Sequence, residues 1–366
     1  MNYILLILSV IVMIVWIILI IRYTISMASI PNLKNYDENA RVLAAAIIPV
    51  RNDDPQRCIE SLVAENCIKE IIVVDDDSGP EFKSLLLKLK EKYPVIKIVE
   101  SRGKGKATAC QQGADASNSE LLLFLDADTI LSNKTAARSI NLLVDKGLDA
   151  VSLIGELRCR NFDKIMTPFS FGLLNALIPL KDVMNPAKSG FFFGSFILFR
   201  TSSYYKIGGH SAVSDRLLED KALGEVAKKK GLKIAIAKGR GFVSAEWAPG
   251  FKQNLDALKR VLAPSMVGKR KVSLLVTIAI SFLLLTPLLS FFAGFGNRYL
   301  LVVGIISLFF QLLFSIISSV TIKVNYLYAI AFPAAAIMLT LIFWISLLTS
   351  YKHGNIVWRG REYRLM

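Results

Sequence analysis

Histidine is almost missing from this chain: His210 and His353 are the only two in 366 residues, so a histidine-built metal centre is excluded by count. Cysteine is scarce as well. Cys58, Cys67, Cys110 and Cys159 show no paired metal-ligand spacing and all fall in one polar segment, where reduced structural thiols are expected. The phosphate loop GxxxxGK[ST] does not occur. A net charge of +15 would suit nucleic acid, but a basic stripe with interleaved aromatics is lacking, so no nucleic-acid partner is expected. Attraction to anionic lipid headgroups is the simpler reading of that charge.

Charge itself is absent from residues 3–21, 272–297, 299–322 and 324–351. At 1.5 Å per residue each run can cross about 30 Å of hydrocarbon. The first is longer than the apolar region of a signal peptide and no A-x-A-like cleavage site follows it. Residues 1–22 therefore read as an uncleaved anchor, and 272–351 as a membrane region of about three segments. The intervening segment is basic at Arg22, Lys34 and Arg41 and again at Lys269, Arg270 and Lys271. By the positive-inside rule it lies in the cytoplasm, which makes the chain a multi-pass protein of the cell membrane. The basic tail, 352–366, conflicts with this count: three full spans carry it outside, whereas Lys352, Arg359, Arg361 and Arg364 favour the inside. A re-entrant or interfacial segment is the favoured resolution.

Residues 41–262 read as one α/β domain. Strand-like runs (LAAAIIPV, breaking at Pro49; EIIVV; VIKIV; LLLFL) alternate with helical patterns through Cys58, Ile59 and Leu62, through Phe82, Leu85, Leu86 and Leu89, and after RGKGKA. Such alternation predicts a mostly parallel sheet with helices on both faces, whose ligands gather at the carboxyl ends of the strands. Those ends are polar here. Asp126 and Asp128 close the apolar run LLLFLDAD, where carboxylates separated by one residue suit Mg²⁺ or Mn²⁺ held jointly with substrate phosphates. The same pattern alone also fits a turn or a helix cap. Asp75, Asp76 and Asp77 cannot all be buried without partners, and one of them beside a base or ribose would accept hydrogen bonds. Gly103 and Gly105 allow close backbone approach while Lys104 and Lys106 bring positive charge to a diphosphate. Glu219 and Asp220 open a helical stretch, where the macrodipole favours acids whatever else they do. Residues 165–180 are apolar but broken by Pro168 and Gly172, which suits either an interfacial helix that admits lipid or a buried core helix.

Seven pieces in this order, IIPVRND, VVDDDSG, GKGKATACQQG, FLDADT, GSFILFR, GGHSAVSDRLLEDKALG and the terminal WRGREY, resemble the inverting glycosyltransferases of family 2, of the GT-A type. The last two narrow the likeness to the carotenoid enzymes of the 4,4'-diaponeurosporenoate type and to hopanoid-associated and ceramide-glucosyltransferase-like enzymes. The resemblance implies a GT-A nucleotide-diphospho-sugar transferase domain plus transmembrane helices, and roles for individual positions. Pro49 and Arg51 would line the nucleotide pocket, Asp76 would hold the base and Lys106 would lie near base or diphosphate. Asp128 would hold Mg²⁺ or Mn²⁺, with Asp126 beside the ribose and metal. Gly194 and Ser195 would form the acceptor-side loop, with His210 as a further substrate contact or a structural polar residue. Asp220 would be the general base, with Glu219 the competing candidate.

The implied reaction moves a sugar, glucose from UDP-glucose foremost, to a membrane lipid such as a carotenoid or ceramide-like acceptor. A polyprenyl-phosphate sugar synthase, a polysaccharide synthase and a catalytically silent lipid-binding subunit are the alternatives. Asp76, Asp126, Asp128 and Asp220 being intact argues against silence. Processive relatives carry Q/R-x-x-R-W after the base, but here Ala257 and Val261 stand where the Gln or Arg and the Trp would be. Lys259 or Arg260 would then supply the phosphate contact, and a polymer product becomes less expected.

Overall fold

The α/β pattern materialises strand by strand. The structure, a computed structural model, describes the backbone at residues 2–103, 105–160, 162–188, 190–247, 250–351, 355–358 and 361–364, with side chains from Tyr3 to Tyr351. Along the chain come α1 (Asn2–Ser29), β1 (Ala44–Val50), α2 (Gln56–Val63), β2 (Ile68–Asp75), α3 (Pro80–Lys92), β3 (Ile96–Glu100), α4 (Lys106–Asp115) and β4 (Leu121–Leu125). There follow β5 (Ile130–Leu131), α5 (Thr135–Asp145), β6 (Ala150–Ile154), β7 (Glu156–Arg158), α6 (Asp163–Leu177), β8 (Phe196–Arg200), α7 (Thr201–Lys206), α8 (Glu219–Lys229), β9 (Ile234–Lys238) and β10 (Val243–Glu246). The chain closes with α9 (Phe251–Met266), α10 (Arg270–Ala293), α11 (Arg298–Thr321), α12 (Phe332–Tyr351), β11 (Asn355–Trp358) and β12 (Arg361–Arg364).

Two units separate: an α/β unit of residues 29–157 and 180–246, and a helical unit of residues 1–28, 158–179 and 247–366. In the first, seven strands order as β3-β2-β1-β4-β8-β6-β9. All neighbours are parallel except β8, which runs antiparallel to both β4 and β6. Ala44, Ala46, Ile48 and Val50 of β1 bury one face with Cys58, Ile59 and Leu62 of α2 and Leu86 and Leu89 of α3. The alternate face receives α4, whose Gly113 packs against Ile47 and Val74. Helices thus cover both faces, and burial on both explains why the β1 run is apolar throughout.

One strand end differs from the sequence reading. Pro49 does not break β1, which continues to Val50 in register with Asp75. The Ala44 N–H and Val50 carbonyl both bond towards β2, so Pro49 points the other way, towards β4. Pairing with β4 ends at Ile47, and the missing N–H of Pro49 interrupts no ladder.

In the helical unit, α1, α6, α9, α10, α11 and α12 share one apolar core that includes Trp16, Phe169, Leu262, Leu284, Phe314 and Leu339. Here α6 is a core helix despite its internal Pro168, which decides between the two readings of residues 165–180. Among the described residues, four helices are long and apolar enough to cross a membrane: Tyr3–Ser29, Arg270–Gly296, Arg298–Thr321 and Tyr326–Tyr351. β11 and β12 pair antiparallel; Lys352, His353 and Arg359 of the tail lie outside the described residues.

Candidate active site

Three strands of the α/β unit deliver polar residues from their carboxyl ends. The ends of β1 and β2 are tied together: the Asp76 N–H donates to the Val50 carbonyl at 2.8 Å, and the Gly79 N–H to Asn52 Oδ1 at 2.8 Å. The Asn52 N–H donates to Ser78 Oγ at 3.0 Å, and the Ser78 N–H to Asp75 Oδ1 at 2.9 Å. Asp75 and Asp76 are buried, while Asp77 turns outward at φ 64°. The Gly105 N–H lies 3.3 Å from each carboxylate oxygen of Asp76. Gly105 manages this at φ 108°, a backbone state that side chains disfavour. Burial raises the Asp76 carboxyl above the usual range, against the lowering pull of the Gly105 N–H and Arg51. Arg51 keeps Nη1 buried without a hydrogen-bond partner, a donor suited to an anionic ligand. Pro49 stands half-buried one turn of the pleat before it.

Lys106, the first residue of α4, joins two parts of the site. Its Nζ lies 2.7 Å from Asp126 Oδ1 and 2.8 Å from Glu219 Oε1. Burial works against its charge, but Asp126 and then Glu219 outweigh it and hold the ammonium well above the ordinary lysine range. Ala127 is buried in the core between the half-exposed Asp126 and Asp128. The Cys58 thiol below is pushed up by burial and then by Asp128 and Asp126. Thr129 Oγ1 donates to the Ser195 carbonyl at 3.1 Å, fastening the loop before β8 to the end of β4.

In that loop the Gly194 N–H donates to Asp220 Oδ2 at 3.1 Å, and the Lys221 N–H reaches Oδ1 at 2.7 Å. A Cβ on Gly194 would sit 2.9 Å from Asp220 Oδ2 and 3.2 Å from Lys106 Nζ, so only glycine permits this approach. The adjacent acids are therefore held differently. Asp220 is oriented by backbone N–H groups, whereas Glu219, which the sequence reading tied to the helix dipole, is ion-paired to Lys106.

His210 is 2 % exposed and stacked near Phe124, with ring centroids 4.7 Å apart. Its tautomer follows from its network. Gln111 Nε2 donates to Asp115 at 2.8 Å, which turns Oε1 towards Tyr204 Oη at 3.0 Å. The Tyr204 hydroxyl must supply the proton there, so at 2.9 Å it accepts from His210 Nδ1–H. Burial, followed by a smaller opposing effect of Glu219, pushes the imidazole down to about 3. Nothing in the sequence marks Tyr204 or Asp115, each an ordinary helix residue, and Gln111 is marked only as part of GKGKATACQQG, with no role attached.

Asp76, Lys106, Asp126, Asp128, Gly194, Ser195, His210, Glu219 and Asp220, with Pro49 and Arg51, all belong to the α/β unit. Lys259 and Arg260 belong to α9 of the helical unit, where Lys259 pairs with Asp256 at 3.6 Å. Among the described residues no three His, Cys, Asp or Glu side chains form a metal cage. The two carboxylates of Asp126 and Asp128 fit an ion whose shell is completed by phosphates and water.

A seven-stranded, mostly parallel sheet with one antiparallel member and acids at three strand ends is the architecture of a nucleotide-binding α/β domain, here accompanied by helices apolar enough to cross a membrane. The sequence model of Glycosyl transferase family 2 matches residues 45–208. A 4,4'-diaponeurosporenoate glycosyltransferase of Staphylococcus haemolyticus is 26 % identical over 60 % of this chain and 60 % of its own length. That of Staphylococcus aureus is 23 % identical over 87 % of this chain and 88 % of its own. Mannosyltransferase PcManGT from Pyrobaculum calidifontis, solved with GDP-Man and Mn²⁺, shares the fold at a TM-score of 0.54 and 15 % identity, covering 95 % of this chain and 99 % of its own. The chain thus carries a region that matches glycosyltransferase family 2, and over most of its length it resembles the carotenoid type.

Proposed function

We propose that the protein transfers a sugar from a nucleotide sugar, UDP-glucose first among candidates, to the hydroxyl or carboxyl oxygen of a membrane lipid, with inversion. The observation that carries this reading is the Lys106 bridge from Asp126 to Glu219, which brings the Asp-x-Asp pair beside the acid pair of α8. Asp76 and Arg51 would receive the nucleotide, Arg51 through its unpartnered Nη1. With a hydroxyl acceptor Asp220 would take the proton as the oxygen attacks the anomeric carbon, its carboxylate aimed by the Gly194 and Lys221 N–H groups; a carboxylate acceptor would attack already ionised. Asp126 and Asp128 would hold Mg²⁺ or Mn²⁺, which when bound supplies charge neutralisation for the departing diphosphate. Asp220 and Glu219 are candidates for the same duty, and the orientation of Asp220 by two N–H groups favours it. The relatives' printed acceptor, a carotenoid acid, and the four apolar helices support a lipid acceptor and a multi-pass arrangement. The basic residues Arg22, Lys34, Arg41 and Lys269 to Lys271 support a cytoplasmic catalytic unit.

The test is incubation of the purified protein with labelled UDP-glucose, UDP-galactose and GDP-mannose plus a total lipid extract. Label should pass from UDP-glucose to a neutral or carboxyl-ester lipid. Label in a polyprenyl phosphate would replace this reading by that of a phosphosugar synthase. Calorimetry with UDP and Mn²⁺ addresses the metal: Asp128→Asn should lose metal-dependent UDP binding with its melting temperature unchanged, and unchanged binding would remove the metal from Asp128.

A further inference from the structure

The helical unit contains a cavity of about 480 Å³ that no step above uses, within the size range of small-molecule pockets. It lies between the end of α9 and the start of α10 and is lined by Met266, Gly268, Lys269, Arg270, Lys271 and Ser350. Three consecutive basic residues are among its lining residues, with Val272 beside them, and no carboxylate lines it. Among the described residues none of the three is ion-paired to an acid; Arg270 instead rests its guanidinium 5.6 Å from the centroid of the Tyr351 ring. The Tyr351 hydroxyl in turn donates to the Arg270 carbonyl at 2.8 Å.

That hydrogen bond fixes the depth of the cavity. Arg270 begins one candidate span and Tyr351 ends another, so two apolar helices terminate at one level and the cavity opens there. In a bilayer this is the headgroup layer, where an aromatic ring and basic side chains are at home. We propose that the cavity is a binding site for the phosphate of an anionic membrane lipid. Lys269, Arg270 and Lys271 receive the phosphate, and the lipid's chains run beside α10 and α12. A zwitterionic headgroup brings its own ammonium and gains little from three unpaired cations. The site does not depend on the proposed transfer reaction, and a binding readout keeps the two separable.

The experiment uses the full chain in detergent with a fluorescent phosphatidylglycerol, the matching phosphatidylcholine as reference and inorganic phosphate as competitor. Phosphatidylglycerol should bind more tightly than phosphatidylcholine. Lys269→Gln, Arg270→Gln and Lys271→Gln should each weaken it about fivefold, the effect of one cation near an anionic headgroup. Lys271→Arg should keep affinity, and Arg298→Gln at the other end of the helices should leave it unchanged. Size-exclusion elution and melting temperature exclude unfolding as the cause. Equal binding of both lipids, or a triple variant that binds phosphatidylglycerol like the parent, would overturn the site. Equally strong competition by millimolar inorganic phosphate would reassign it to a free anion and overturn the lipid.

Discussion

The two units differ in the part that charge plays in their buried polar contacts. In the helical unit, buried hydroxyls close on their own helix: Thr277 bonds the Ser273 carbonyl at 2.8 Å, Ser290 that of Thr286 at 2.7 Å, Ser319 that of Ser315 at 2.8 Å and Thr340 that of Ala336 at 2.8 Å. Each bond is local and satisfies a group that lipid would leave dry. In the α/β unit the polar groups at the strand ends close over long sequence distances and through charge, as Lys106 does with Asp126 and Glu219, or do not close at all, as at Arg51 Nη1. Buried polarity that is settled within one helical turn holds a fold. Longer-range bonds in the helical unit join neutral groups of neighbouring helices, as Ser9 Oγ does with Ser290 Oγ at 2.6 Å, whereas at the strand ends of the α/β unit they carry charge, which is what chemistry on a diphosphate needs.

The sharpest way to break this comparison is to remove charge at the α8 pair. Asp220→Asn should lower turnover by about 10² to 10⁴, the contribution of general-base catalysis, with donor affinity nearly unchanged. Glu219→Gln should cost only about tenfold, because it weakens one charge-assisted hydrogen bond to Lys106, roughly 1.5 kcal/mol. Steady-state transfer to lipid measures both. A reversed ranking makes Glu219 the base; full activity in both variants removes the mechanism from this pair. Thr277→Val in the helical unit, by contrast, should leave kcat untouched.

A smaller effect concerns His210. Its folded value is pushed down to about 3 from an ordinary 6.5, so between these limits the unfolded chain binds a proton that the folded chain does not. Stability is therefore complete above about pH 6.5 and falls as pH drops towards 3. By pH 5 the loss should be about 2 kcal/mol, from 1.36 kcal/mol per unit. Melting curves of the parent and of His210→Phe between pH 7.5 and 5 test this, and the variant's curve should be flatter. Imidazole nitrogen NMR on a His353→Gln background provides a check independent of folding: a signal other than a neutral Nδ1–H ring at pH 6 would refute the assigned tautomer.

Much of this was legible before any coordinates, for physical reasons that differ by element. The apolar runs of β1, β2 and β4 announce a sheet buried on both faces, whereas the carboxylates at their ends fit a turn or a cap as well as a ligand until several of them are seen at one edge of the sheet. Charge-free runs announce α1, α10, α11 and α12 by length alone. The Lys106 bridge was not legible, because Lys106, Asp126 and Glu219 are far apart in sequence and only the fold brings them together. Pro49 misled because a strand-breaking residue is harmless where one side of the strand has no partner. The ion pair of Glu219 was hidden as well, since its place at a helix start already gave a local reason for an acid.

The smallest expected effect lies in the helical unit and tests its side of the comparison where local closure fails. Pro287 sits inside α10 and has no N–H to offer the carbonyl four residues earlier. That carbonyl belongs to Leu283. Trp16 Nε1 donates to it at 3.0 Å, while Gln311 Nε2 lies 3.5 Å from it and 3.0 Å from the Leu284 carbonyl. Both side chains are fully buried. Trp16→Phe should cost about 1 kcal/mol in hydrogen bonding. Gln311→Leu should cost less, since it also removes the unpartnered Oε1. The double variant should exceed the sum, because the Leu283 carbonyl then has neither partner; a coupling of about 0.6 kcal/mol is typical of bonds between membrane helices. Denaturation in mixed micelles measures the cycle, and strict additivity would mean that the two donors do not share this carbonyl. Transfer activity of the refolded variants should equal that of the parent, whereas a tenfold loss of kcat would show that polar groups of the helical unit reach the chemistry after all.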